Sequence, residues 1–293
     1  MTEPKNHSTT PEIDAHTKWC AVIGNPVEHS LSPSIHNAAF RARGLNYVYL
    51  AMRVERVGDA ARGMRALGNA TGFSVTIPHK VALLPELDEV DTMARHIGAV
   101  NTIVVREGRL FGYNTDATGA MRALREAGAE VKGRHVLVLG TGGAARAIAF
   151  GLAHAGVSRL TLLGIDDAER TGLAQDVRTK TGLTVSDGPL DELRLREALA
   201  TSQVMIHCTP VGMSPKTGVS CVPAHLLTPA LTVMDIVYNP RDTQLLLDAR
   251  AAGCHTIPGL EMFLNQAVEQ FELWTGQAAP ADVMRRVLES KFT

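Results

Sequence analysis

The stretch Val136-Leu-Val-Leu-Gly-Thr-Gly-Gly-Ala-Ala-Arg-Ala-Ile-Ala-Phe150 constrains this chain more than any other. Four apolar, β-favouring residues run into a glycine turn, and small residues at helical spacing follow. This is how a parallel strand feeds a helix whose N-terminus faces a phosphate. In such a dinucleotide site Gly140 makes the tight turn and Gly142 lets the backbone approach the pyrophosphate. Unpaired N–H groups at the helix start then hold its charge. The spacing is a G-x-G-G-x-x-R variant, with Gly143 and Ala145 near the place of the usual third glycine. A glycine-rich turn with no ligand is the competing explanation of this stretch alone.

With 293 residues, 45% hydrophobic and 20% charged, the chain can bury a full core in about two domains. The net charge is −1 and there is no long run of Lys or Arg, which argues against nucleic acid or a membrane surface as partner. A small molecule is the expected partner. Cys20, Cys208, Cys221 and Cys254 show neither C-x-x-C spacing nor His neighbours at ligand intervals. Neither a disulfide framework nor a metal site is therefore expected, and a cytoplasmic setting fits. No apolar stretch approaches the roughly 20 residues of a membrane span. Residues 1–17 are polar and are expected to form a disordered tail.

The fold is expected to begin at Trp19-Cys-Ala-Val-Ile-Gly24, a strand stopped by Gly24, Asn25 and Pro26. In the following loop Ser32 is placed as an N-cap with Pro33 at the first helical position. Capping leaves Ser30 unexplained, and two hydroxyls beside a helix N-terminus form a candidate carboxylate cradle. The helix ends near Gly44. Tyr47 to Arg53 then gives a second strand, with a helix to about Leu67. Gly72-Phe-Ser-Val-Thr-Ile-Pro-His-Lys80 gives a short strand ending at Pro78, with Lys80 opening the next helix. A lysine at a strand end sits where α/β sites gather, although a solvated surface lysine is the commoner case. His79 is expected to be structural or exposed. The segments 99–106 and 109–116 flank Glu107-Gly108 and predict a β-hairpin, with Asn101 and Asp116 at its ends. A buried Asn must find partners, and Asp116 is also a candidate helix cap.

Farther on, Arg159-Leu-Thr-Leu-Leu-Gly164, Val204-Met-Ile-His-Cys208 and Leu231-Thr-Val-Met-Asp235 are strands with helical stretches between them, so the second half predicts a doubly wound parallel sheet. Pro210, Gly212 and Met213 follow a strand's C-terminal end, where nucleotides meet open sheets. Residues 259–275 and 281–290 show helical spacing.

Seven motifs together closely resemble the shikimate dehydrogenase family. They are Gly24-Asn-Pro-Val-Glu-His-Ser-Leu-Ser-Pro33, Ser74-Val-Thr-Ile-Pro-His-Lys80, Gly98-Ala-Val-Asn-Thr102, Asn114-Thr-Asp116, Gly140-Thr-Gly-Gly-Ala-Ala-Arg146, Val237-Tyr-Asn-Pro240 and Gly259-Leu-Glu-Met-Phe-Leu-Asn-Gln-Ala267. The resemblance covers about residues 19 to 293. It implies an N-terminal α/β substrate domain (18–118), a Rossmann dinucleotide-binding domain (119–256), and C-terminal helices (257–293) returning to the first domain. It also implies reversible hydride transfer between a nicotinamide cofactor and the secondary alcohol of shikimate. Ser30, Ser32 and Tyr238 would hold the carboxylate. Thr76, Asn101 and Gln266 would contact ring hydroxyls, and Lys80 with Asp116 would form the pair at the oxidised alcohol. Cofactor contacts would come from Gly140, Thr141, Gly142, Gly143 and Ala144, from Thr209, Pro210, Gly212 and Met213, and from Gly259. Quinate dehydrogenase, or a dual activity, is the alternative. A non-catalytic sensor would be marked by loss of Lys80 or Asp116, and both are present. The assembly is expected to be a monomer or a homodimer.

The chain departs from the family at one place. Biosynthetic members carry Asn-Arg-Thr after the second strand of the nucleotide domain, with the Arg on the 2′-phosphate of NADP. Here Gly164-Ile-Asp166 stands instead. Asp166 lies 26 residues past Gly140, close to where NAD enzymes place the acid that bonds the ribose hydroxyls. The expectation is NAD in preference to NADP. Capping of a helix starting at Ala168 is a second use for Asp166 or Asp167, and Arg170 is the nearby cation that would still reach a phosphate.

Overall fold

The structure, a computed structural model, describes residues 12–292. Residues 1–11 of the expected tail lie outside the described residues. Its last part is not a tail: Asp14 accepts from Asn46 Nδ2 at 2.9 Å, and Thr17 Oγ1 donates to Asn46 Oδ1 at 2.7 Å. Short polar side chains with their own turn and a partner across the fold tie this segment down.

The first half runs β1 (Lys18–Gly24), α1 (Ser32–Ala42), β2 (Tyr47–Arg53), α2 (Val57–Ala66), β3 (Ala70–Val75), α3 (His79–Ala82), β4 (Glu89–Val90), α4 (Thr92–Ile97), β5 (Thr102–Arg106), β6 (Arg109–Tyr113) and α5 (Thr115–Glu126). Its sheet has the order β2-β1-β3-β5-β6-β4. β1, β2 and β3 are parallel, while the β5–β6 hairpin runs antiparallel to β3. Both turn residues of the hairpin, Glu107 at φ 51° and Gly108 at φ 71°, are left-handed, the twist that suits a two-residue hairpin.

The second half runs β7 (His135–Leu139), α6 (Gly143–His154), β8 (Arg159–Gly164), α7 (Asp167–Thr181), β9 (Val185–Pro189), α8 (Glu192–Leu199), β10 (Val204–His207), β11 (Thr232–Asp235), α9 (Gln244–Ala251), β12 (His255–Pro258), α10 (Gly259–Thr275) and α11 (Ala281–Glu289). All six strands are parallel in the order β12-β11-β10-β7-β8-β9, a doubly wound sheet whose order reverses between β7 and β10. Val136, Leu137, Val138 and Leu139 are wholly buried, as a central strand covered on both faces requires. Reading the chain without the fold misses β4, β9 and β12. β9 is Val-Ser-Asp-Gly-Pro and β12 is His-Thr-Ile-Pro, and neither edge strand carries an apolar run.

Helix α10 joins the halves. Leu260, Leu264, Val268 and Phe271 are buried in one cluster with Cys20 and Val22 of β1, Ile35 and Phe40 of α1, and Tyr49 of β2. The opposite side of the helix packs on α5, where a Cβ at Gly119 would stand 2.8 Å from the Gln266 nitrogen. A helix buried nearly all round is a wedge, not a surface element. Trp274 finishes it by donating from Nε1 to the Ile103 carbonyl at 2.9 Å.

Candidate active site

The C-terminal ends of β1, β3, β7 and β11 open onto one cleft of about 360 Å³. Ser30, Ser32, Thr76, Lys80, Asn101, Asp116, Tyr238 and Gln266 all line it. The substrate and catalytic residues expected from the sequence thus meet in one place, although they are drawn from segments more than 200 residues apart.

Lys80 sits on α3, where Pro78 has ended the extended run. Its carbonyl accepts from the Val100 N–H at 2.9 Å, which fixes the turn against the segment leading through Asn101 into β5. Lys80 Nζ donates to Asp116 Oδ2 at 2.6 Å, with the two side chains 27% and 14% exposed. Asp116 does not cap α5. Asn114 does, accepting from the Ala117 N–H and donating to the Ala99 carbonyl. That leaves Asp116 in the first turn of α5 and on the cleft wall.

Asn101 is 3% exposed and hydrogen-bonded at both ends of its amide. Its Nδ2 donates to Asp116 Oδ1 at 2.8 Å, and its Oδ1 accepts from the Thr115 N–H at 2.7 Å and from Thr102 Oγ1 at 2.8 Å. Asp116 is therefore held from one side by a neutral amide and pairs on the other with the ammonium. The sequence reading missed what stands behind Asn101. Gln270 Nε2 donates to Thr102 Oγ1 at 2.9 Å, and Gln270 Oε1 accepts from Ser74 Oγ at 2.8 Å, with Tyr49 donating to that serine. The available signal was the four-residue step from Gln266 to Gln270, which puts both amides on one helix face.

At the other wall Ser32 is not the N-cap of α1, as expected, but its first residue. Leu31 takes the cap position without a side-chain hydrogen bond. Ser30 Oγ accepts from the Ser32 N–H at 3.3 Å, leaving the Ser30 O–H to donate. Tyr238 stacks near Phe263 at 4.9 Å between ring centres, and burial raises its phenol above the usual range, so it stays a donor at neutral pH. Thr76 packs its methyl where a Cβ at Gly24 would fall, and Gln266 Nε2 donates to the Phe263 carbonyl at 3.0 Å. His79 is turned away, with Nε2 2.8 Å from the Val54 carbonyl, a structural histidine.

The glycine turn lies across the cleft. Gly140 has φ 97°, and a Cβ there would stand 2.9 Å from the Cys208 carbonyl, so only glycine makes this turn. Gly142 is the N-cap of α6 with no side-chain cap, and a Cβ at Gly142 or Gly143 would meet nothing within 4 Å. Free N–H groups facing open space form a cradle that fits a pyrophosphate. Thr141 lies on Gly164, and Ala144 and Gly259 line the cleft. Gly212 and Gly259 also have packing reasons of their own, since a Cβ would come within 2.9 Å of the Val219 carbonyl and 2.4 Å of the Ile236 carbonyl. Thr209, Pro210 and Met213 follow β10 on the same side.

At the end of β8 the helix α7 starts one residue earlier than Ala168. Asp166 caps it, its Oδ1 accepting from the Glu169 N–H at 2.8 Å. Arg170 is folded back, 2.5 Å from Asp167 Oδ1 and 3.4 Å from Asp187 Oδ2, and Arg178 also pairs with Asp187 at 2.7 Å.

A doubly wound nucleotide sheet facing a polar cleft with a Lys–Asp pair defines a two-domain oxidoreductase. Residues 22–103 match the shikimate dehydrogenase substrate binding domain, and residues 259–289 the shikimate 5'-dehydrogenase C-terminal domain. The chain is 44% identical over 280 residues to a shikimate dehydrogenase (NADP(+)) of Moorella thermoacetica, covering 94% of each. Its fold superposes on shikimate 5-dehydrogenase from Listeria monocytogenes in complex with shikimate and NAD with a TM-score of 0.91, at 39% identity, covering 95% of this chain and 99% of the other. Quinate dehydrogenase from Corynebacterium glutamicum in complex with NAD gives 0.88 at 31% identity, covering 94% and 99%. The chain belongs to the shikimate dehydrogenase family. The quinate reading is not favoured by these relatives. No described helix is long and apolar enough to cross a membrane.

Proposed function

We propose that this chain interconverts shikimate and 3-dehydroshikimate by reversible hydride transfer. The observation that carries the reading is the Lys80–Asp116 pair at 2.6 Å on the wall of the polar cleft. When bound, the nicotinamide dinucleotide accepts or supplies the hydride. In oxidation the neutral Lys80 amine takes the alcohol proton as the carbonyl forms and becomes the ammonium, and in reduction the ammonium returns that proton. Asp116 orients Nζ in both directions, and Asn101 orients Asp116. Ser30, Ser32 and Tyr238, three hydroxyl donors, hold the substrate carboxylate, while Thr76, Asn101 and Gln266 contact its ring hydroxyls. The chain is proposed to divide into a substrate domain of residues 18–118 with 257–293 and a nucleotide domain of residues 119–256. The four cysteines are free thiols, which supports a cytoplasmic setting.

For the cofactor, Gly140, Gly142 and Gly143 are proposed to cradle the pyrophosphate, with Thr141 and Ala144 beside it. Thr209, Pro210, Gly212, Met213 and Gly259 would lie along the nicotinamide side. NAD is proposed as the preferred form, although NADP(+) stands in the names of relatives such as that of Moorella. The support is electrostatic. Asp166 stands two residues past β8 as the cap of α7, and Arg170 is already engaged by Asp167 and Asp187. A 2′-phosphate about 4 Å from one carboxylate meets repulsion of about 4 kcal/mol per unit charge at an effective dielectric of 20. A ribose hydroxyl donating to the same carboxylate contributes about 1.5 to 3 kcal/mol. Steady-state assays of shikimate with each cofactor are expected to give a kcat/KM at least about tenfold higher for NAD, about 1.4 kcal/mol. Parity, or preference for NADP, would mean that Arg170 leaves its two aspartates for the phosphate. The same assay with quinate tests the substrate, and shikimate is expected to give the higher kcat/KM.

A further inference from the structure

His207 and Asp235 are the last residues of two adjacent parallel strands, β10 and β11, and stand in register. Their side chains are 1% and 0% exposed, and His207 Nδ1 lies 2.8 Å from Asp235 Oδ1. No part of the proposed reaction uses them. Asp235 is occupied as an acceptor: Oδ1 also takes the Val237 N–H at 3.0 Å, and Oδ2 takes the Thr243 hydroxyl at 2.6 Å. A carboxylate can only accept, so the hydrogen between Nδ1 and Oδ1 belongs to His207.

The other ring nitrogen points at the loop after β10. Nε2 is 2.5 Å from Thr209 Oγ1, which also accepts from the Val211 N–H at 3.2 Å. A neutral ring would have to accept the Thr209 hydroxyl proton at Nε2. A protonated ring donates there instead, and the threonine oxygen then receives two hydrogens. Its own proton must point elsewhere, and Thr209 is partly exposed beside the Gly140 turn.

We infer that His207 is a positioning residue for this loop: by donating from Nε2 to Thr209 Oγ1 it turns the threonine hydroxyl outward as a donor to the bound dinucleotide. The inference rests on the proposed contact between Thr209 and the cofactor. The groups facing His207 support the charged ring. Burial alone would lower the imidazole, but the hydrogen bond and charge of Asp235, with Cys221 acting in the same direction, outweigh it, and His207 is raised to about 9. Cys208, next in the chain, is pushed up by burial and by Asp235, so it stays a neutral thiol. Because the folded value exceeds the unfolded one, the donor is present below about pH 9 and is lost as pH rises through it.

The test is the dissociation constant of NADH and of NADPH, read from nicotinamide fluorescence without substrate at pH 7 and pH 10. Wild type is expected to bind about fivefold more weakly at pH 10. H207Q places an amide nitrogen near the position of Nε2, and should bind as wild type does at pH 7 with no change at pH 10. H207N keeps only the Asp235 contact and should bind about fivefold more weakly at both. T209V should match H207N and lose the pH dependence. A fivefold weakening in T209V with wild-type binding in H207N, or a wild-type pH profile in H207Q, overturns the inference while leaving the Thr209 contact standing. Wild-type binding in T209V overturns that contact itself.

Discussion

Replacing Lys80 or Asp116 by Ala is expected to lower kcat for shikimate oxidation by a factor of order 10² to 10⁴, the usual range for general acid–base groups. The two losses differ in mechanism. Without Lys80 the alcohol proton has no positioned acceptor, while the hydroxyls of Ser30, Ser32 and Tyr238, proposed to hold the carboxylate, are untouched. Without Asp116 the lysine loses its partner at 2.6 Å, and Asn101 loses its acceptor at 2.8 Å. The lysine is then free to leave the reacting atom. Both groups act on one proton, so the double variant should be little worse than the poorer single one. Steady-state kinetics with saturating cofactor gives the comparison. A kcat within a few-fold of wild type in either single variant would remove that residue from the chemistry.

The largest expected effect on stability is at Gly259. A Cβ at this position would lie 2.4 Å from the Ile236 oxygen, 2.5 Å from its carbonyl carbon and 2.6 Å from the Val237 oxygen. All three are backbone atoms at the exit of β11, so no side chain can yield. Helix α10, which begins here, would have to move with its buried face and with Gln270 and Trp274. Gly259→Ala should therefore cost about 3 kcal/mol, the upper end for overpacking a well-filled site. Gly172→Ala makes the reference, being inside helix α7 with nothing within 4 Å of its Cβ, and should stabilise by about 0.5 to 1 kcal/mol. Thermal unfolding is expected to place Gly259→Ala several degrees below wild type and Gly172→Ala slightly above it. Equal melting temperatures for Gly259→Ala and wild type would show that β11 can give way.

The strands buried on both faces were legible because they are apolar runs, and Val136-Leu-Val-Leu139 with its glycines fixed the nucleotide half. Edge strands β9 and β12 escaped because a strand with one neighbour needs no apolar run, and β12 ends in Pro258. Local chemistry was misassigned at the starts of two helices. Asn114 and not Asp116 caps α5, and Leu31 and not Ser32 occupies the cap of α1, because Ser30 already accepts the Ser32 N–H. Residues lining the cleft came from motif resemblance, since spacing along a chain says nothing about approach across 150 residues or more. Gln270 behind Asn101 and His207 beside Asp235 were invisible for a related reason: each is defined by its partner on another element.

The proposed reaction passes a hydride between shikimate and the nicotinamide in the cleft where Lys80 and Asp116 meet. Shikimate carrying deuterium on the carbon of the oxidised alcohol tests it most directly, with the reduced cofactor analysed by mass spectrometry after turnover. One deuterium is expected in each molecule of reduced cofactor formed, with the rate of labelling falling in Lys80→Ala. Reduced cofactor without the label, or no reduction of either NAD or NADP by shikimate, would contradict it.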